Sequence, residues 1–203
     1  KDVQDVEGSN FLTSIKFGIG RDTTDNLFRP SEGYRFNISW EQYGAMGGDF
    51  TFGAASSGIT GYHTIYEDIT ERKTVLAGQI RGSQIVGDAP VFERYYAGGI
   101  GSLRGFDYRG VSPRDGKHRD PIGSETLVLI GTELTHPLYE EVLFGKVFCD
   151  TGTVTEGPYR VTVGFGFELV IPQLFQMVPM NFDFGFPIYF DDEDDKEIFS
   201  FSF

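Results

Sequence analysis

Hydrophobic and polar residues alternate along much of this chain. Over residues 14–22, Ile15, Phe17 and Ile19 fall on one side of an extended backbone, with Ser14, Lys16, Gly18, Gly20 and Asp22 on the other. Over 34–41, Tyr34, Phe36, Ile38 and Trp40 oppose Arg35, Asn37, Ser39 and Glu41. Over 161–169, Val161, Val163, Phe165, Phe167 and Leu169 oppose Thr162, Gly164, Gly166 and Glu168. Phe182, Phe184 and Phe186 oppose Asn181, Asp183 and Gly185, and the tail sets Phe199, Phe201 and Phe203 against Ser200 and Ser202. Successive side chains of a strand point to opposite faces, so each segment predicts a strand with one apolar and one polar face. Weaker strand patterns lie near 50–66, 74–86, 126–136 and 142–150. No segment sustains a helical period, so the pattern predicts an all-β chain of eight or nine antiparallel strands with almost no helix.

The connections fall into two sets. Those at 25–33, 68–73, 137–141 and 171–179 are compact, whereas those at 43–49, 87–123, 152–159 and 191–197 are looser. Short turns at one end and long loops at the other suit an up-and-down membrane barrel. Alternation alone also fits a soluble sandwich, in which the apolar face is the core and the polar face meets water. Composition favours the barrel. The chain has 27 Gly and 20 Phe among 203 residues, and the glycines crowd the polar rows while the phenylalanines crowd the apolar ones. A lumen suits close backbone packing, and aromatic girdles belong at lipid interfaces. Mean hydropathy is -0.21 and no apolar run reaches the ~18 residues of a membrane helix, but a membrane strand needs only ~9–11 alternating residues.

Charge and cysteine content narrow the chemistry. The net charge of -13 argues against a nucleic-acid partner, which requires basic surface. The lone Cys149 excludes an internal disulfide and a multi-cysteine metal site. It is expected to face lipid as a small apolar residue, in the row opposite Asp150. His63, His118 and His136 lie in unrelated segments, expected in loops or at interfaces, and no nucleophile elbow or His-Glu-x-x-His occurs. No catalytic residue, cofactor or metal is therefore expected. The acidic run Asp191, Asp192, Glu193, Asp194, Asp195 reads as a solvated hairpin tip, since it lacks calcium-loop spacing. The glycine-rich stretch around Gly98, Gly99 and Gly101 fails the dinucleotide pattern because position 104 is Arg. It reads either as a flexible surface loop or as a loop tucked into a lumen, where Arg104 would need acidic partners.

Residues 93–106, from Glu93 through Gly98, Gly99, Ser102, Leu103, Arg104 and Gly105 to Phe106, resemble the loop signature of the BamA superfamily of outer-membrane assembly and translocation barrels, also called the bacterial surface antigen superfamily. Further stretches agree in order. Asp22 to Gly33 is similar to the family's Asp-x-x-Asp-Asn-x-x-x-Pro-x-x-Gly turn, Glu133 to Pro137 to its Glu-x-x-x-Pro strand end, and Phe148 to Val154 to its Phe-x-Asp-x-Gly-x-Val strand. Gly164 to Pro172 and Asn181 to Pro187 resemble the penultimate strands. Two departures stand out. The family barrel normally has sixteen strands preceded by periplasmic POTRA domains, so residues 1–203 are expected to be its C-terminal portion, as a fragment or a reduced protein. Ile198 also stands where the family's terminal signature usually carries Gly.

The resemblance implies a non-enzymatic insertase, integral to the bacterial outer membrane, that folds β-barrel precursors by strand pairing at the barrel seam. Its partners would be unfolded precursors, outer-membrane lipids and, through periplasmic domains outside this chain, accessory assembly lipoproteins. A related barrel for two-partner secretion, translocation-assembly or a patatin-type fusion is the alternative, and a soluble sandwich binding module the third reading. The resemblance also implies that Arg104 meets Glu133 and Asp150 inside the barrel, and that Phe199, Phe201 and Phe203 mark the seam strand. Loop lengths then imply that the compact turns face the periplasm and the looser loops face outward, with 87–123 folded into the lumen. Asp183, in a polar row, is expected to tolerate change to Asn far better than its neighbour Phe182 tolerates Arg.

Overall fold

A computed structural model describes residues 10–115, 120–140, 142–154, 157–170 and 179–203. Residues 171–178 of the turn expected at 171–179 lie outside the described residues, as does His118. The long strands are β1 (Ser14–Asp22), β2 (Gly33–Tyr43), β3 (Gly53–Glu67) and β4 (Lys73–Val86), then β8 (Thr126–Tyr139), β9 (Leu143–Val154), β10 (Arg160–Val170), β11 (Pro179–Tyr189) and the short β13 (Phe199–Ser202). Between them lie two-residue strands: β5 (Gly105–Phe106), β6 (Arg114–Asp115), β7 (Asp120–Pro121) and β12 (Lys196–Glu197). Among the described residues the only helical element is a single turn at Val91–Glu93.

The long strands form one nine-stranded sheet in the order β1-β2-β3-β4-β8-β9-β10-β11-β13. Every neighbouring pair is antiparallel, as an up-and-down meander requires. Among the described residues β1 and β13 each pair with one neighbour, so the sheet is an open part of a barrel wall.

The two faces differ in kind. Phe17 and Ile19 are 68% and 74% exposed on the outer face. Phe165, Phe184 and Phe199 sit opposite one another across β10, β11 and β13, as do Phe167, Phe182 and Phe201. Ring centroids are 5.3 Å apart for Phe165–Phe184, 5.2 Å for Phe184–Phe199 and 5.1 Å for Phe182–Phe201. Such cross-strand aromatic pairs fix register. On β9 the inner row is Phe144, Lys146, Phe148 and Asp150, each buried. The inner-row glycines of β10 make room for that row: a side chain at Gly164 would overlap the Phe148 ring, and one at Gly166 would overlap Asp183 and Lys146.

The connection from β4 to β8 folds back onto the inner face. Ala97, Leu103, Phe106 and Val111 of this loop pack with Leu129 of β8 and Val154 of β9, each under 5% exposed. A second cluster joins Phe52, Ile85 and Ala89 at the same end. These inward apolar residues explain why 74–86 and 126–136 alternate poorly: their inner rows turn hydrophobic where the loop covers them. β5 of the loop pairs with β12, just ahead of the terminal strand. The acidic run is not simply a solvated tip. Arg160 Nε and Nη2 donate to the Asp194 carboxylate, both at 2.9 Å, and Arg114 Nη2 lies 2.6 Å from Asp195 Oδ2. Asp194 is buried by that pairing. His63 and His136 lie on strands rather than in loops, beside Glu32 and Thr74 respectively. Cys149 points to the outer face, in the row opposite buried Asp150.

Candidate functional site: the loop arginine and its carboxylates

The loop tip is shaped by glycine. Gly98 and Gly105 have φ of 104° and 90°, a region disfavoured for other residues. Gly105 also lies backbone to backbone with Gly185 of β11. A Cβ on Gly185 would come within 2.6 Å of Gly105 N, and one on Gly105 within 2.9 Å of Gly185 O. Gly98 N donates to Ser102 Oγ at 3.2 Å, Ser102 N to Gly99 O at 3.2 Å, and Gly99 N to Phe106 O at 2.9 Å. Leu103 and Phe106, at 0% and 1% exposure, anchor the tip on both sides of Arg104. Arg81 of β4 ties the tip to the wall by donating to Gly101 O.

Arg104 thereby enters the inner face. Its Nε donates to Asp150 Oδ2 at 2.7 Å and Nη2 to Asp150 Oδ1 at 2.9 Å, a two-pronged pairing. Nη1 donates to Glu133 Oε2 at 2.5 Å. The guanidinium carbon lies 3.4 Å from the Phe148 ring centroid, close enough for a cation–π contact. The side chains of Arg104, Asp150 and Glu133 are 13%, 3% and 28% exposed. Burial works against the charged guanidinium, but the hydrogen bonds and field of Asp150, then of Glu133, outweigh it and raise the Arg104 pKa above its ordinary value. The cation is therefore permanent.

The cluster extends beyond these residues. Asp183 Oδ2 of β11 is 3.9 Å from Arg104 Nη1, and Lys146 Nζ of β9 lies 2.9 Å from Asp183 Oδ1 and 2.8 Å from Asn181 Oδ1. Lys146 and Asp183 are buried, like Asp150, and charges alternate through the cluster: Lys146, Asp183, Arg104, Asp150. Sequence reasoning missed this pair, and strand parity was the available signal. Once Asp150 faces inward, Phe148, Lys146 and Phe144 must do so too. The pairing also changes the expectation for Asp183, because Asn would leave Lys146 short of a buried counter-charge. A polar recess of about 180 Å³ lined by Thr60, Tyr62, Gln79, Gly131 and Glu133 adjoins Arg104. Phe199, Phe201 and Phe203 lie apart from this cluster, on the outer face of the terminal strand and beyond it. Among the described residues no group of His, Cys, Asp and Glu is arranged to hold a metal ion.

The Omp85 superfamily domain matches residues 2–203. The chain belongs to the Omp85 superfamily. It is 34% identical over 139 residues to the outer membrane protein assembly factor BamA of Nitratidesulfovibrio vulgaris strain Hildenborough, covering 66% of this chain and 17% of that protein. It is 25% identical over 160 residues to the protein of the same name from Neorickettsia risticii strain Illinois, covering 75% of this chain and 21% of that one. The chain thus spans about a fifth of the length of these relatives. Its fold superposes with a TM-score of 0.79 on the crystal structure of Haemophilus ducreyi BamA lacking POTRA domains 1–3, at 22% identity, over 93% of this chain and 41% of that one. This Omp85 chain is therefore part of an integral outer-membrane β-barrel, with its phenylalanine-rich rows on the outer face.

Proposed function

We propose that this Omp85 segment is the C-terminal portion of the barrel of an outer-membrane assembly factor, which inserts and folds β-barrel precursors without making or breaking covalent bonds. The observation that supports this best is the Arg104–Asp150–Glu133 cluster, in which an inward-folded loop brings its arginine onto the buried Asp150 and the half-buried Glu133, in a chain 34% identical to a BamA. The barrel seam is bounded by β13, whose outer edge has no partner in the sheet among the described residues. In lipid an edge N–H or C=O cannot find water, so an incoming precursor strand gains strongly by pairing there. Phe199, Phe201 and Phe203 present rings to lipid along that edge, and the Arg104 cluster latches the loop above the terminal strands. Precursors and outer-membrane lipids are the immediate partners, and accessory lipoproteins would act through domains outside this chain. The looser-loop end, including Glu193, faces the cell exterior.

The test is precursor folding in vesicles that carry the intact protein. The unaltered protein should accelerate insertion of an unfolded β-barrel precursor, whereas Arg104→Ala and Arg104→Lys should both slow it, since Lys keeps the charge and loses the planar fork. Normal rates from Arg104→Ala would reduce the loop to a passive cover. Secretion of a soluble partner without insertion of barrels would make the protein a translocator instead.

A further inference from the structure

A second arginine reaches the inner row of β9 from the opposite end of the sheet. Residues 23–32, which join β1 to β2, form an organised turn. The Asp25 carboxylate accepts from Ser31 N at 2.8 Å, Ser31 Oγ at 2.5 Å and Glu32 N at 3.0 Å. Asn26 Oδ1 accepts from Phe28 N at 2.9 Å and Arg29 N at 3.0 Å. On one flank the turn is fastened to the next strands. Thr64 N donates to Glu32 Oε1 at 3.0 Å, Thr64 Oγ1 to Ser31 O at 3.2 Å, and Lys73 Nζ to Ser31 Oγ at 3.3 Å. On the other flank Arg29 leaves its own neighbourhood altogether. Its Nη2 lies 2.5 Å from Glu168 Oε1 of β10, and its guanidinium carbon 3.4 Å from the Phe144 ring centroid of β9. In the sheet order, β3, β4, β8 and β9 separate β2 from β10, so this contact crosses the concave face. Glu168 and Phe144 are directly opposite one another in the β9–β10 ladder, which gives the guanidinium a carboxylate at its edge and a ring beneath its plane.

We propose that Arg29 is a positioning residue, a clasp that ties β9 and β10 to the β1–β2 turn and so sets how readily the terminal strand moves. β10 pairs with β11 and β11 with β13, so a restraint on β10 is inherited by the strand at the seam. This rests on the reading above that β13 bounds a working seam. The long loop restrains the same strands at its own end through Arg104 and Gly105, and Arg29 supplies the restraint at the other end. Its side chain is 34% exposed, so the clasp is weaker than the latch and suited to repeated release.

Charge reversal in the intact protein, held in phospholipid vesicles, tests the clasp. Arg29→Glu and Glu168→Arg singly should speed hydrogen exchange of the Phe199–Ser202 amides about fivefold, the low end of what a marginal contact controls. Combining them should restore the slow rate, because the exchanged charges still face one another beside Phe144. Unaltered gel mobility without heating confirms that each variant is folded. Unchanged β13 exchange in folded single variants, or acceleration that the double variant does not reverse, overturns the clasp. Failure of the insertion reading would show differently, as no acceleration of precursor folding by the unaltered protein, and would leave the exchange result standing.

Discussion

Two arginines stack at 3.4 Å on two phenylalanines of one strand, and they are held very differently. Arg104 comes from a long loop, lies on Phe148, forks onto Asp150 and also reaches Glu133. Arg29 comes from a compact turn, lies on Phe144 and meets Glu168. Their exposures, 13% against 34%, show what the extra scaffold achieves. The loop brings its own hydrophobic core of Ala97, Leu103, Phe106 and Val111 and shields its arginine from water. The turn brings only hydrogen bonds and leaves its arginine near the rim. Water screens an exposed pair and weakens it, whereas a buried one is costly to break. The same chemistry therefore yields a lock at one end and a spring at the other.

The largest expected effect is at the lock. Arg104→Ala strands Asp150, Glu133 and Asp183 close together with little water and should cost about 3–5 kcal/mol, read as a lower unfolding midpoint of the barrel in urea. Arg104→Lys should recover part of this, because charge remains while the fork to Asp150 is lost. An Ala variant within error of the unaltered protein would make the two ends equivalent and end the comparison.

The next effect lies between the arginines. Lys146 sits on the same row of β9, between Phe144 and Phe148. Lys146→Met should leave Asp183 without its nearest cation and cost about 2–3 kcal/mol, the penalty of a buried group losing its partner. Asp183→Asn should fall close behind, not far below Phe182→Arg, which carries the ~2–4 kcal/mol of a cation placed toward lipid. If Asp183→Asn is silent, the row is wetter than its burial indicates.

Much of the wall was legible because alternation is a local signal. β1, β2, β10, β11 and β13 show clean rows, and their apolar sides are the outer ones. β4 and β8 read poorly because the loop that joins them folds back: Ile85, Leu127 and Leu129 face inward, where residues of that loop pack on them. The meeting of Arg104 with Glu133 and Asp150 came from family resemblance, since the mixed pattern over 127–136 gave Glu133 no clear side. The partners of Arg160 and Arg29 were not legible, and for Lys146 the only signal was the strand parity that places it inward. The Arg29 contact depends on how far the sheet curls, a property of all its strands together, and no short window of sequence encodes it. The acidic run misled because Asp194 looks solvated until Arg160 is placed beside it.

At the spring the expected cost is small. Arg29→Ala should lower stability by about 1 kcal/mol or less, well under the Arg104 effect measured in the same urea titration. A cost as large as that of Arg104→Ala would mean that the turn end is as dry as the loop end.

The smallest effect separates the ends by pH. The guanidinium at the lock stays charged at any accessible pH, but the turn that aims Arg29 depends on a carboxylate. The Ser31 hydroxyl, followed by the Glu32 amide, holds the Asp25 carboxyl down to about 2, against a partial opposing effect of burial. In an unfolded chain an aspartate titrates near ~3.9. A depressed folded pKa stabilises the turn at pH above the unfolded value, and that contribution disappears as pH falls through the folded one. Glu32, held low chiefly by the Thr64 amide, works in the same sense. Lowering the pH from about 4 to 2 should therefore loosen the turn progressively. Carboxyl carbon shifts should show Asp25 titrating near the bottom of that window, with the Ser31 and Glu32 amide signals moving in step. Asp25→Asn should remove that coupled movement, because a neutral amide has no proton to gain and cannot accept from the Ser31 hydroxyl through its nitrogen. An Asp25 that titrates at the ordinary value, with its amide neighbours unmoved, would mean that this carboxylate does not organise the turn and that Arg29 is aimed by the backbone alone.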